Sequence, residues 1–147
     1  MTDAITLFRG KHFFLSNFYP EPMVFEGIEY ASSEHAYQAQ KTTTKRERDM
    51  VRKEPHPAGA KKLALFIDKR EDWKDVRLDI MRRILRAKFS NPVLRQMLLD
   101  TGDAEIIHNN KHKEFFWGVC NEHGLNMLGK LLMELRQEIR DSPEEEW

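Results

Sequence analysis

The stretch from Trp73 to Phe89 constrains the fold more than any other. Val76, Ile80, Ile84 and Ala87 recur at helical spacing, and Met81 and Leu85 widen the stripe. A stripe of that length commits the chain to helices packed on an apolar face. Arg82, Arg83, Arg86 and Lys88 fall near its C-terminal end, where cations favour the helix dipole. A second stripe, Leu125, Leu128, Leu131, Leu132, Leu135 and Ile139, predicts a final amphipathic helix. Gly129 inside it weakens a helix by about 1 kcal/mol unless a close neighbour needs the space. Shorter helices are predicted over 45–53, about 57–67 and from Asn91-Pro92 to Leu99. Ala104 to Ile107 reads as a short strand or a helical turn.

The N-terminal part differs. Met23-Val24-Phe25 and Ile28-Glu29-Tyr30 flank Glu26-Gly27, the pattern of a two-residue hairpin. The hairpin leads into Ser32-Ser33-Glu34, a helix cap followed by an acidic first turn. On that helix Glu34, Tyr37, Gln38 and Lys41 share one face, while Ala36, Ala39 and Thr43 take the other. The expected architecture is mainly α: a single helical domain over 1–147 with a small β element near the N-terminus. Its core spans about 5–140, and an acidic, frayed tail covers 141–147.

Composition narrows the function. Twenty-four basic residues balance 24 acidic ones, which disfavours broad charge-driven nucleic-acid binding but permits a local phosphate pocket. A single cysteine, Cys120, excludes a disulfide and a thiolate zinc site. Neither a leader nor a membrane-length apolar run is visible, so a cytoplasmic location is expected. His108 and His112 are four apart, but the residues between them are not those of a zinc helix, and no metal is expected. A serine-hydrolase elbow, a phosphate loop and a dinucleotide fingerprint are all missing, so no cofactor is expected either.

What remains is distributed. Asn17 sits among Phe13, Phe14, Phe18 and Tyr19, where an amide needs a partner or a ligand. Trp73 precedes a basic helix, Glu114 precedes Trp117-Gly118, and Asn126 stands beside Gly129. Aromatics that stack a base, cations that hold phosphate and carboxylates that work on an acetal-like carbon suit a nucleotide or sugar-phosphate pocket.

Taken in order, Phe14-x-Ser16-Asn17-Phe18, Ser33-Glu34-His35-x-Tyr37-Gln38-Ala39-x-Lys41, Trp73-x-x-Val76, Met81-x-x-x-Leu85-x-x-Lys88-Phe89, Trp117-Gly118 and Asn126-x-Leu128-Gly129 resemble the NADAR (YbiA-like) family from about Phe13 to Ile139. The resemblance implies a helical N-glycosidase that cleaves a ribose–nitrogen bond. Its substrate would be ADP-ribosylated guanine in a nucleotide or nucleic acid, or a riboflavin-pathway ribosylamino-pyrimidine phosphate. A non-catalytic ADP-ribose-binding module is the alternative. No membrane and no obligate protein partner is implied. Glu34 would be the acid/base or electrostatic stabiliser, and Lys41 the nucleophile or leaving-base contact. On an ideal helix these two lie about 10 Å apart along the axis. Glu114 is a second carboxylate, standing where the family usually has aspartate. Phe18, Tyr37, Trp73 and Trp117 would frame the substrate, and Asn17, Gln38 and Asn126 would hydrogen-bond it. Arg86 and Lys88 would hold phosphate, and Gly118 and Gly129 would let the backbone approach.

Overall fold

The computed structural model describes residues 3–144. Helix dominates, and a two-stranded antiparallel sheet near the N-terminus is the only sheet among the described residues. The chain divides into two compact units: Asn17–Lys88, and a second unit built from residues up to Ser16 together with those from Phe89 onward.

In the Asn17–Lys88 unit, β1 (Met23–Phe25) pairs with β2 (Ile28–Tyr30) through a turn in which Glu26 and Gly27 both have positive φ, 50° and 80°. That is the geometry a two-residue hairpin requires, and it explains the glycine. Four helices follow: α1 (Ser33–Ala39), α2 (Lys45–Arg52), α3 (Pro57–Leu63) and α4 (Trp73–Lys88). The helix expected over 57–67 therefore stops at Leu63 and tightens into a 3-10 turn over Ala64–Phe66. Side-chain caps start α1 and α2: Ser32 accepts from the His35 amide, and Thr44 from that of Glu47. Met23, Phe25, Tyr30, Ile80, Met81, Ile84 and Leu85 are buried here, so the α4 stripe lies in the core as its spacing predicts.

The unit before Ser16 and after Phe89 holds α5 (Pro92–Leu99) and α6 (Met127–Asp141). Leu94, Leu98, Leu128, Leu131, Leu132, Leu135 and Ile139 are buried. Leu125, expected in the α6 stripe, lies before the helix and is exposed. Residues 104–107 form no strand of their own: Ile106 makes an isolated parallel bridge with Ile5, whose N–H donates to the Glu105 carbonyl at 2.8 Å. Of the acidic tail expected from residue 141, Asp141 ends α6, and 145–147 lie outside the described residues.

Gly129 has a local reason. A Cβ there would overlap the Ile106 carbonyl oxygen and the Asn126 side-chain amide. Gly129→Ala, which would strengthen an open helix, is therefore expected to lower stability by about 1–2 kcal/mol in urea unfolding. A variant as stable as the parent would show that the Ile106 segment can withdraw.

Candidate active site

The α1 face expected to carry Glu34, Tyr37 and Gln38 toward a substrate is buried. Every residue of α1 from Ser33 to Ala39 is inaccessible, so Glu34, Tyr37 and Gln38 are interior side chains. The helix ends at Ala39, with Gln40 as its C-cap, and Lys41 lies in the turn beyond it.

Asn17 fixes the start of α1. Its carbonyl accepts from Glu34 N–H at 3.0 Å, and its Oδ1 accepts from the Ser33 hydroxyl at 2.8 Å. Its Nδ2 rests 3.6 Å from Met81 Sδ on α4. The amide inside the aromatic run thus has partners within the fold and positions the first turn of the helix. At the other end of α1, Tyr37 and Trp73 pack on each other, centroids 5.1 Å apart. Lys41 Nζ lies 5.8 Å and 6.0 Å from those two rings, within cation–π range. The start of α1 therefore meets the middle of α4, and its end meets the start of α4.

Sequence reasoning missed His35. Its ring is fully buried, with Nδ1 2.7 Å from Ser32 Oγ and Nε2 2.7 Å from the Glu54 carbonyl. A carbonyl only accepts, so Nε2 carries the proton, and in the neutral ring Nδ1 accepts from the Ser32 hydroxyl. This contact ties the cap of α1 to the residues after α2. Its only signal in the sequence is a histidine three residues after a capping serine.

Glu34 is 7% exposed. Burial pushes its carboxyl above the ordinary glutamate range, against the Gln38 hydrogen bond and the charges of Lys61 and Lys41, which pull it down. Gln38 Nε2 donates to Glu34 Oε1 at 2.7 Å, one turn along the helix. Lys61, on α3, is a second residue the sequence did not flag, and it is exposed.

Lys88, expected to hold phosphate, is 3% exposed, and burial pushes its ammonium down to about 7. It follows Met81 and Leu85 on the buried stripe of α4, a spacing that was visible in the sequence. Arg86 and Phe18 are half-buried.

The remaining expected site residues belong to the other unit and build a loop. Glu114 Oε1 accepts from Phe116 N–H at 2.7 Å and Trp117 N–H at 2.8 Å. The Phe116 and Trp117 carbonyls in turn accept the first amides of α6, from Met127 and Leu128, at 3.0 Å each. Asn126, in the left-handed region at φ 52°, donates to the Ile106 carbonyl and accepts from His108 N–H. A Cβ on Gly118 would overlap the His108 carbonyl. The space expected to admit substrate at Gly118 and Gly129 is thus taken by the protein itself, and Asn126 spends its amide on the fold. Half-buried Trp117 packs edge-on against Phe116, centroids 4.7 Å apart. His108 lies against Phe8, and among the described residues no group of three or more His, Cys, Asp or Glu could hold a metal ion. No helix among them is long and apolar enough to cross a membrane.

With this geometry in place, comparison with known proteins decides the family. Residues 7–140 match the NADAR domain. The chain belongs to the NADAR family. It is 34% identical to the N-glycosidase YbiA of Escherichia coli over 84% of this chain and 79% of that protein. It is 36% identical to an N-glycosidase of Nostoc punctiforme, over 86% and 85%. A riboflavin biosynthesis protein of Vibrio vulnificus is 41% identical over 89% of this chain, which spans only 36% of that longer protein. The solution structure of E. coli YbiA superposes with a TM-score of 0.85 at 32% identity, covering 99% of this chain and 90% of YbiA.

The buried lysine of this NADAR chain gives a pH-dependent stability with a definite sign. Below about pH 7 Lys88 is charged in both the folded and unfolded states, and the burial penalty is carried in full. Between there and about 10.4, the ordinary lysine value, the unfolded chain holds a proton that the folded one has released. Stability should therefore rise with pH across that window, by up to about 1.4 kcal/mol per pH unit. Urea unfolding at pH 7, 8 and 9 should show this rise in the parent and a flatter profile in Lys88→Met. Equal slopes in both would place the charge elsewhere.

Proposed function

We propose that the chain hydrolyses the bond between a ribose carbon and a nitrogen, with Glu34 as the acid. It is a hydrolase of N-glycosyl bonds, the activity for which its YbiA relatives are named. The observation that carries the reading is the buried Glu34 carboxyl held by Gln38. Cleavage leaves negative charge on the departing nitrogen and positive charge on the anomeric carbon. A carboxyl whose hold on its proton burial strengthens can supply the proton the nitrogen needs. Because Gln38 Nε2 occupies Oε1 as an acceptor, the acidic proton is directed to Oε2.

Lys88 fits the attacking amine better than Lys41 does. An amine brought down to about 7 is uncharged in a large fraction of molecules at neutral pH, and only the uncharged form has the lone pair. Lys88 lies on the buried stripe of α4 with Met81, whose Sδ is 3.6 Å from Asn17 Nδ2 beside the start of α1. Attack by Nζ on the anomeric carbon releases the base with the Glu34 proton. The secondary ammonium formed gives one proton to the Glu34 carboxylate. The freed lone pair breaks the bond from the anomeric carbon to the ring oxygen, which takes up a proton as the imine forms, and water then adds to the imine carbon to release the sugar and restore the amine. Lys41 and Lys61 are the cations whose charges reach Glu34, and they suit a substrate phosphate.

For the substrate, the name of the Vibrio relative favours a riboflavin-pathway ribosylamino-pyrimidine phosphate. ADP-ribosylated guanine is the second reading, favoured by the motifs shared with the family. A module that only binds ADP-ribose would not need Glu34 or Lys88 to be chemically active.

Both substrates should be offered to the purified protein and the released base followed by mass spectrometry. Glu34→Gln is expected to lower turnover by roughly 100-fold or more with little change in affinity. Borohydride with substrate should trap an adduct on Lys88, with a yield that rises through about pH 7. Lys88→Arg should lose both turnover and trapping, and Lys41→Arg should keep trapping. An adduct on Lys41 would return the nucleophile's role to that residue. An active Lys88→Arg with nothing trapped would mean direct attack by water, and normal turnover in Glu34→Gln would move the acid elsewhere.

A further inference from the structure

Gln38 is 3% exposed, and its Oε1 is a buried acceptor with no hydrogen-bond partner among the described residues. An unpaired buried carbonyl costs a fold about 1–3 kcal/mol, and native structures rarely keep one without a use. The other end of the same amide is committed, because Nε2 donates to Glu34 Oε1 at 2.7 Å. That bond orients the amide and leaves Oε1 as the acceptor still to be met. A group that completes the site must therefore bring a donor to a point one helical turn from the acid.

We propose that Gln38 reads the sugar: its Oε1 accepts a hydrogen bond from the 2′-hydroxyl of the ribose whose N-glycosyl bond is cut, so that ribosides are preferred over 2′-deoxyribosides. The inference rests on the N-glycosidase reading above. Glu34 serves the nitrogen leaving the anomeric carbon, and the nearest donor on the sugar is the hydroxyl on the adjacent carbon. Two vicinal substituents are served by two side chains already in contact, at positions i and i+4 of α1. The contact also has a catalytic sense, since in glycoside cleavage a hydrogen bond at the 2-position strengthens as the oxocarbenium ion forms. Gln38 thus selects substrate through its oxygen and orients Glu34 through its nitrogen.

The test compares Gln38→Leu and Gln38→Met with the parent on a ribosylamino-pyrimidine phosphate and its 2′-deoxy counterpart. Deoxy sugars leave more readily by their own chemistry, but that difference cancels when each substrate is compared between proteins. Losing the oxygen should lower kcat/KM on the riboside roughly 10- to 100-fold more than on the deoxyriboside. Equal losses on both would mean that Gln38 acts only through Glu34, and no loss on either would mean that the acceptor is not used; both overturn the proposal. Binding of ribose 5-phosphate and 2-deoxyribose 5-phosphate to the parent, by calorimetry, decides the matter apart from turnover. A several-fold preference for the ribose sugar that disappears in Gln38→Met supports the contact, and equal affinities in the parent overturn it. A parent that cleaves neither nucleoside yet prefers ribose 5-phosphate would overturn the N-glycosidase reading and leave the sugar contact standing.

Discussion

A carboxyl group that water barely reaches, held by a single amide, is what the rest of the Asn17–Lys88 unit depends on. Placing Glu34 on the interior face of α1 favours its neutral form, and the hydrogen bond from Gln38 together with the charges of Lys61 and Lys41 only partly opposes that preference. The unit is arranged so that α1 cannot rotate this group into solvent. Asn17 pins the first turn from one side, and Ser32 and His35 tie the cap to the Glu54 carbonyl from another. Tyr37 packed at a tilt against Trp73 holds the far end.

The same economy recurs in Lys88, a cation placed where burial strips its charge. Burial raises the pKa of the Glu34 carboxyl and lowers that of the Lys88 ammonium, opposite shifts with a common cause. Each is unfavourable for stability alone, and the proposed reaction would use the pair for proton donation and nucleophilic attack. The other unit spends its polar groups differently. Glu114, Asn110 and Asn126 hold the 108–118 loop in a shape whose carbonyls cap α6.

Local chemistry was legible in the sequence, and distant packing was not. The hairpin followed from Glu26-Gly27, and α4 from its stripe, because each is specified within a few residues. The burial of α1 was not legible, because periodicity reports polarity and cannot show that helices α2, α3 and α4 enclose a polar helix on several sides. Lys88 was assigned to phosphate from its place near the helix end, although its register with Met81 and Leu85 already put it on the buried stripe. Lys61 and His35 went unflagged, since their importance lies in what α1 brings near them. Asn126, Gly118 and Gly129 were expected to serve a substrate, and in the structure they make interior contacts with Ile106 and His108.

The central claim is that Glu34 stays protonated beyond the range of an ordinary glutamate. Carbon-13 NMR of glutamate side-chain carboxyls across a pH series, with the Glu34 resonance assigned by its loss in Glu34→Gln, measures this in the intact protein. The account predicts a titration midpoint clearly above the ordinary value of about 4.3. A midpoint at or below that value would mean that the carboxyl is ionised at neutral pH and cannot be the proton donor.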